Sequence, residues 1–462
     1  MKTRLEKDSL GEKAVPADAY YGIQTLRAVE NFPVSGLKAH PGLIRAYAAV
    51  KKACALANAE LGVLKPRLAQ AVVKAADEVL KGKFDAHFVV DVYQAGAGTS
   101  FNMNANEVIA NRAAELLGGA RGDASLVHPN DHVNMAQSTN DTFPTAVHAA
   151  VLAQLRALDP VLASLERAFA AKGRQWARVV KSARTHLQDA VPITLGQEFA
   201  AYAAAVAACR CELSRRGELL RSVALGGTAA GTGANAPKGF RPLAVRKLAE
   251  ITGLPLLPGR DPRMGLQSHQ PLSAVSGALK ELALELARIA NDLRLLCSGP
   301  TTGLAELVLP AVQPGSSIMP GKVNPSMVEC LNMICFQIIG RDLANSFCAQ
   351  AGQLDLNVMT PLTAYNLLDS IQLLLNFLPR FEERCVRGIK ADEARCRRYF
   401  DRSLSLATLL NPVIGYARAA ELFKEALTAG KTIPQLALEK GIMTRRELDK
   451  LFDPEATTGA LD

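Results

Sequence analysis

Four stretches of this 462-residue chain gather hydroxyl, amide and glycine residues in patterns that suit anion recognition. The first is Gly96-Ala97-Gly98-Thr99-Ser100-Phe101-Asn102-Met103-Asn104. The second runs from His128-Pro129-Asn130-Asp131-His132 to Ser138-Thr139-Asn140-Asp141, and the third is Arg184-Thr185-His186-Leu187-Gln188-Asp189. The fourth is Gly315-Ser316-Ser317-Ile318-Met319-Pro320-Gly321-Lys322-Val323-Asn324-Pro325. Ser, Thr and Asn at helix starts present hydroxyl, amide and backbone N–H donors, and a helix N-terminus adds a positive field. Such donors converging with a lysine suit a dicarboxylate. They also suit the extra negative charge that forms when a carbon beside a carboxylate loses its proton. That chemistry needs one positioned base and no metal. Any one of these loops alone reads as an ordinary helix cap or turn; four in one chain do not.

Other chemistries fit less well. No two histidines lie at helical ligand spacing with a carboxylate partner, and Pro129 interrupts the His128/His132 pair, so no metal site is expected. Gly226-Gly227-Thr228-Ala229-Ala230-Gly231-Thr232-Gly233 lacks the following Lys-Ser/Thr of a phosphate-binding loop and reads as a turn after a long helix. The tripeptide Ala-Ser-Gly, source of a self-processed lyase cofactor, is absent, and no strand-rich domain accompanies Lys322 as a Schiff-base lysine would require. No cofactor is expected. Among the other histidines, His148 reads as a packed or capping residue and His132 as support for the second loop. His40 and His87 are expected to face solvent, and His269 has no assigned role.

The elements that must hold these loops are helices. Alanine and leucine dominate, aromatic residues are 5%, and β-branched alternation is rare. Val275, Leu279, Leu282, Leu286, Ile289, Leu293 and Leu296 step by fours and threes, a heptad stripe that demands a long partner helix. Similar amphipathic runs lie near 142–172, 196–223, 327–350 and 363–390, which predicts an elongated bundle that associates with further copies of itself. Residues 1–139 are expected to mix short helices with Gly/Pro turns, and 401–462 to form a small helical cap. Lys and Arg total 53 against 44 Asp and Glu, spread along the chain without aromatic interleaving. This favours anionic small molecules over nucleic acid. The nine cysteines contain no CxxC pair and are expected to be reduced and buried. No continuous apolar run approaches the ~18 residues of a bilayer span. The charged N-terminus has no apolar signal core, so a cytoplasmic location and no membrane partner are expected.

The fourth segment is similar to the signature of the aspartase/fumarase superfamily. Residues 15–32, 89–112, 130–141, 183–199, 351–361 and 403–416 also resemble that family, in its order, so the likeness covers nearly the whole chain. It implies an all-α, three-domain protomer: an N-terminal mixed helical domain (1–139), a central long-helix bundle (140–393) and a small C-terminal helical domain (394–462). It further implies a homotetramer around a twenty-helix core, with active sites built from three subunits. By the same resemblance Ser316 is the proton-abstracting base and His186 a second catalytic residue. Thr99, Ser138, Thr139, Asn140, Thr185, Ser317, Lys322 and Asn324 correspond to substrate contacts. Gly98-Thr99-Ser100 leans toward the ammonia-lyase branch, whereas His186 and His128-Pro129-Asn130-Asp131 are typical of the fumarase branch. The expected reaction is reversible deamination of L-aspartate to fumarate and ammonia through an enediolate-type intermediate. The alternatives are a lyase for a related amino acid, a class II fumarate hydratase, and a structural protein that kept the fold. Residues 261–271 and Thr301-Thr302 depart from the family pattern.

Overall fold

The computed structural model describes residues 2–453 and 457–458. The chain divides into two compact units, one formed by 1–159, 211–283 and 336–375 and the other by 160–210, 284–335 and 376–462.

In the first unit, β1 (Thr3–Asp8) and β2 (Gly11–Pro16) form an antiparallel hairpin. Three helices of 20, 15 and 18 residues follow a short α1 (Ile23–Asn31): α2 (Pro41–Glu60), α3 (Pro66–Leu80) and α4 (Thr99–Leu116). The expectation of short helices before residue 139 is therefore corrected. Runs such as AYAAVKKACALAN place alanine on the packed face, so helices approach closely without bulky caps or breaks. Proline opens both α2 and α3, where its missing N–H costs nothing. The start of α1 is held by buried Glu107 of α4, which accepts from the backbone N–H of Gly22, Gln24 and Thr25.

The long helices fall where the periodicity places them. They are α5 (Thr139–Gln175), α6 (Leu195–Gly217), α9 (Gln270–Leu296), α10 (Ser326–Gln350) and α11 (Thr360–Arg384), with α7 (Phe240–Thr252) and short α8 (Pro262–Gln267) between. Every residue of the α9 heptad stripe is buried. Its partner is α10: Asp342 and Asn345 bond to Ser276, while Asn332 bonds to Asn291, so the two helices run antiparallel. The outer face of α10 is unusual. Met333, Phe336, Leu343 and Phe347 are all more than half exposed and share one helical face.

Among the described residues the all-helical expectation holds apart from four two-stranded pairings. One is the hairpin of β3 (Val180–Thr185) and β4 (Gln188–Thr194) in the second unit. Residues 393–452 form helices around Phe400, Leu406, Leu410, Leu422, Ile433 and Leu436. Although no continuous apolar run reaches bilayer length, α5 contains an 18-residue window of mean hydropathy 1.2. By length and composition it is the one described helix that passes for a membrane span. Of that window 56% is buried inside the protein, the pattern of a core helix.

Leu286, at the centre of the α9 stripe, has no exposed surface. Truncation to alanine should cost about 2–5 kcal/mol, transfer and cavity terms together. Denaturant unfolding of Leu286→Ala reads this directly, and a loss below ~1 kcal/mol would show that the stripe does not seal the helix pair.

Candidate active site

The first unit collects the first two loops. At the Gly96–Gly98 turn the backbone enters the left-handed region twice, at Ala97 (φ 60°) and Gly98 (φ 85°), before α4 begins. A Cβ on Gly98 would lie 2.2 Å from the Phe143 ring, so only glycine fits. Thr99 emerges exposed at the start of α4, its hydroxyl 3.2 Å from the Gly96 carbonyl. Ser138, Thr139 and Asn140 open α5. Ser138 Oγ accepts from Asn140 N–H, and Asn140 Nδ2 donates to the Ala229 carbonyl. Thr139 Oγ1 accepts from Asn102 Nδ2 at 2.9 Å, which leaves its own hydrogen for an incoming anion.

Beneath these hydroxyls lies a buried polar floor that sequence reading missed. Lys51 of α2 is fully buried, and its Nζ donates to Asn102 Oδ1, Asn134 Oδ1 and Gln137 Oε1 at 2.8–2.9 Å. Tyr47, one turn earlier, places its hydroxyl 2.9 Å from both Asn102 Oδ1 and Thr142 Oγ1. Burial without a bonded carboxylate pulls the Lys51 amine down to about 7. Asp141 is also fully buried and accepts backbone N–H groups from Ser138, Gly226 and Thr228. Burial nonetheless pushes its carboxyl up to about 6. The glycine-rich 226–233 segment is thus a turn clasped by Asp141. The overlooked signal was a lysine on the apolar face of α2, four residues after Tyr47 and three before Cys54, in a stretch where the helix buries every residue from Ala46 to Ala55 except Lys52.

The second unit carries the other two loops. Thr185 ends β3, and His186 and Leu187 form the two-residue turn to β4 with φ of 55° and 59°. A two-residue hairpin favours this left-handed pair, normally supplied by Asn and Gly. A leucine there is strained, and Leu187 is 71% exposed. Thr185 and His186 are exposed, and neither side chain has a hydrogen-bond partner among the described residues. The base of the hairpin is rigid by contrast. Buried Lys181 lies between Glu198 (2.9 Å) and Glu306 (2.7 Å), and Arg184 pairs with the other oxygen of fully buried Glu306.

The signature loop closes on itself. Gly315 N–H donates to the Lys322 carbonyl, and Asn324 Nδ2 donates to the Gly315 carbonyl at 2.6 Å. A Cβ on Gly315 would sit 2.5 Å from the Lys322 oxygen, so this closure requires glycine. Ser316 Oγ, half-buried, accepts from the backbone N–H groups of Ile318 (3.2 Å) and Met319 (3.0 Å). Two fixed dipoles aimed at one hydroxyl oxygen favour its deprotonated form, which a serine base needs. Ser317 beside it is exposed, as are Lys322 and Ile318 at the loop tip. Asn324 spends one amide hydrogen on loop closure and retains a second.

Two histidines differ from expectation. His40 and His87 are half-buried rather than solvent-facing: His40 caps α2 by accepting from Gly42 N–H, and His87 accepts from Tyr20 N–H. Each is a backbone acceptor near a helix end, and that task draws the ring inward. His132 supports the second loop as expected, accepting from the backbone N–H of His128. His148 packs with Nδ1 3.1 Å from the Ser222 carbonyl, and His269 is buried against Thr360. Five cysteines are buried but Cys211 is exposed, because α6 turns that position outward.

A lyase family matches residues 11–340, and the fumarase C C-terminal family matches 406–459. The chain is a member of the aspartase/fumarase superfamily of lyases. An aspartate ammonia-lyase from a Bacillus species is 48% identical over 98% of this chain and 97% of its own length. A class II fumarate hydratase from Thermosynechococcus vestitus is likewise 48% identical, over 99% and 98%. The crystal structure of a fumarate lyase:delta crystallin from Brucella melitensis bound to cobalt is 51% identical, with a TM-score of 0.95 over 98% of this chain and 99% of that one. The lyase is therefore an enzyme whose fold is that of these relatives.

Because the folded pKa of Lys51 lies below the 10.5 of an exposed lysine, its amine favours the folded state above pH 10.5. That contribution is lost as pH falls through about 7. Relative to Lys51→Met, which cannot titrate, the native lyase should lose stability on the order of a few kcal/mol across that window. Denaturant unfolding of both proteins at about pH 10 and about pH 7 measures it; a pH-independent difference would refute the perturbed amine.

Proposed function

We propose that this lyase is an aspartate ammonia-lyase, eliminating ammonia from L-aspartate to give fumarate, with Ser316 as the base. The observation that carries the reading is the pair of backbone N–H groups on Ser316 Oγ, which makes an unassisted serine a plausible proton acceptor. The Ser316 alkoxide takes a Cβ proton, and the C–H electron pair flows into the adjacent carboxylate as an enediolate. Donors at Thr139, Asn140, Lys322 and Asn324 would stabilise that charge, with Thr99, Ser138, Thr185 and Ser317 holding the rest of the substrate. The pair then returns to form the double bond as the Cα–N bond breaks. The proton on Ser316 passes to solvent or to the departing ammonia, so the products are fumarate and ammonium. In this reading His186, at an exposed hairpin tip, contacts the amino group or a carboxylate.

The site is completed across copies of the chain in a homotetramer. Its support is the exposed apolar stripe of α10 and the partnerless polar tips at Thr185 and His186. A cytoplasmic location remains part of this proposal. The second reading is a class II fumarate hydratase. His186 and the equal identity to a named fumarate hydratase favour it, while Gly98-Thr99-Ser100 favours the ammonia-lyase.

Fumarate absorbance with L-aspartate and L-malate offered separately decides between the two. Turnover of L-aspartate with little from L-malate is expected, and rapid product from malate alone would overturn the assignment. Ser316→Ala should lower kcat by about 10²–10⁴-fold with the assembly intact, the range of a lost general base. A near-native rate would remove Ser316 from that role.

A further inference from the structure

Hydrogen bonds around Lys51 can run in one direction only. An ammonium carries donors and no acceptor, so Asn102, Asn134 and Gln137 must each present an oxygen to it. Two of these amides are held in that orientation from behind. Asn134 Nδ2 donates to the Gln137 carbonyl at 3.3 Å, and Gln137 Nε2 donates to the Val133 and Met135 carbonyls at 3.0 and 3.1 Å. The third is Asn102, whose Oδ1 accepts from Lys51 Nζ at 2.8 Å and from the Tyr47 hydroxyl at 2.9 Å. Both lone pairs of that oxygen are engaged. Turning the amide over would set Nδ2 against the ammonium, donor against donor, among buried side chains.

The orientation of Asn102 is passed on toward the site. With Oδ1 on Lys51, Nδ2 points the other way and donates to Thr139 Oγ1 at 2.9 Å. A hydroxyl that accepts there keeps its own hydrogen, and among the described residues none accepts it. The three side chains step outward in the same order: Lys51 is 0% exposed, Asn102 3% and Thr139 8%. A ligand reaching this floor meets Thr139 and not the two groups beneath. The hydroxyl it meets is a donor, which suits a carboxylate oxygen and opposes a group that brings only N–H donors of its own.

We propose that Lys51 and Asn102 are positioning residues of the lyase: Lys51 locks the Asn102 amide, and Asn102 fixes the Thr139 hydroxyl as a donor toward a substrate carboxylate. The proposal rests on the reading of Thr139 as a substrate contact, and the test separates the two. Succinate, a four-carbon dicarboxylate with no leaving group, is the probe, titrated by calorimetry into the full-length enzyme. The solution is held at about pH 6, where the Lys51 amine, drawn down to about 7 by burial, keeps its proton. Asn102→Asp keeps the shape and pairs with Lys51 but reverses the last bond. Its carboxylate accepts from Thr139 and takes the hydrogen that the ligand needs. Succinate affinity should fall by about tenfold or more. In Thr139→Val, which has no hydroxyl to turn, the same substitution should cost less than about threefold, and in Thr139→Ser the full loss should return. An equal loss in the native and Thr139→Val backgrounds would mean that the new carboxylate acts by charge or distortion, and would overturn the relay alone, as would no loss in either. Native enzyme that binds no succinate, or Thr139→Val that binds it as tightly as native, would remove the contact reading and the relay with it. If Asn102→Asp does not fold by circular dichroism, Lys51→Met, which frees the amide to turn, is measured in the same backgrounds. A loss confined to those that keep the hydroxyl supports the relay, and any other result overturns it.

Discussion

A charge taken out of water must be met by fixed dipoles or it will not stay charged, and two such charges organise the first unit. Lys51 is met by three side-chain amide oxygens and Asp141 by three backbone N–H groups. Neither bonds to the other. Each instead binds loops: Lys51 ties α2 to α4 and to the segment before α5, and Asp141 ties the start of α5 to the glycine-rich 226–228 turn. The hydroxyls of Ser138 and Thr139 occupy defined positions because both charges would be stranded if those loops moved. The depressed amine and raised carboxyl are the signature of this arrangement.

The second unit meets the same requirement with opposite charges. Glu306, fully buried between Lys181 and Arg184, stiffens the root of the β3–β4 hairpin while its tip stays exposed and strained at His186 and Leu187. The signature loop uses no charge inside itself. Gly315, Lys322 and Asn324 close it through backbone and amide bonds, and the by-product is a serine oxygen receiving two N–H dipoles. A rigid base under an exposed tip is a sensible division for catalysis, since the tip must meet a ligand and the base must hold its position.

Much of this was legible in the amino-acid order. Heptad spacing located α9 and its buried stripe, and similar runs located four other long helices, though the runs at 196–223 and 363–390 overshot the ends of α6 at Gly217 and α11 at Arg384. The four loops were visible as breaks in that pattern, and the family signature named Ser316. The early helices were read as too short because alanine packs well without producing a strong apolar stripe. The β1–β2 hairpin escaped because its exposed, charged alternation buries little.

By itself the sequence determined the helical class, the positions of the hydroxyl and glycine loops, and membership of a lyase superfamily, since periodicity and local turn chemistry act between near neighbours. Tertiary structure alone decided that Lys51, Tyr47, Asn102, Asn134 and Asp141 form the floor beneath two of those loops. It also decided that Glu306 anchors a hairpin more than a hundred residues earlier. Burial and hydrogen-bond partners depend on residues far apart in the chain, and the spacing of residues along the chain does not encode such distances.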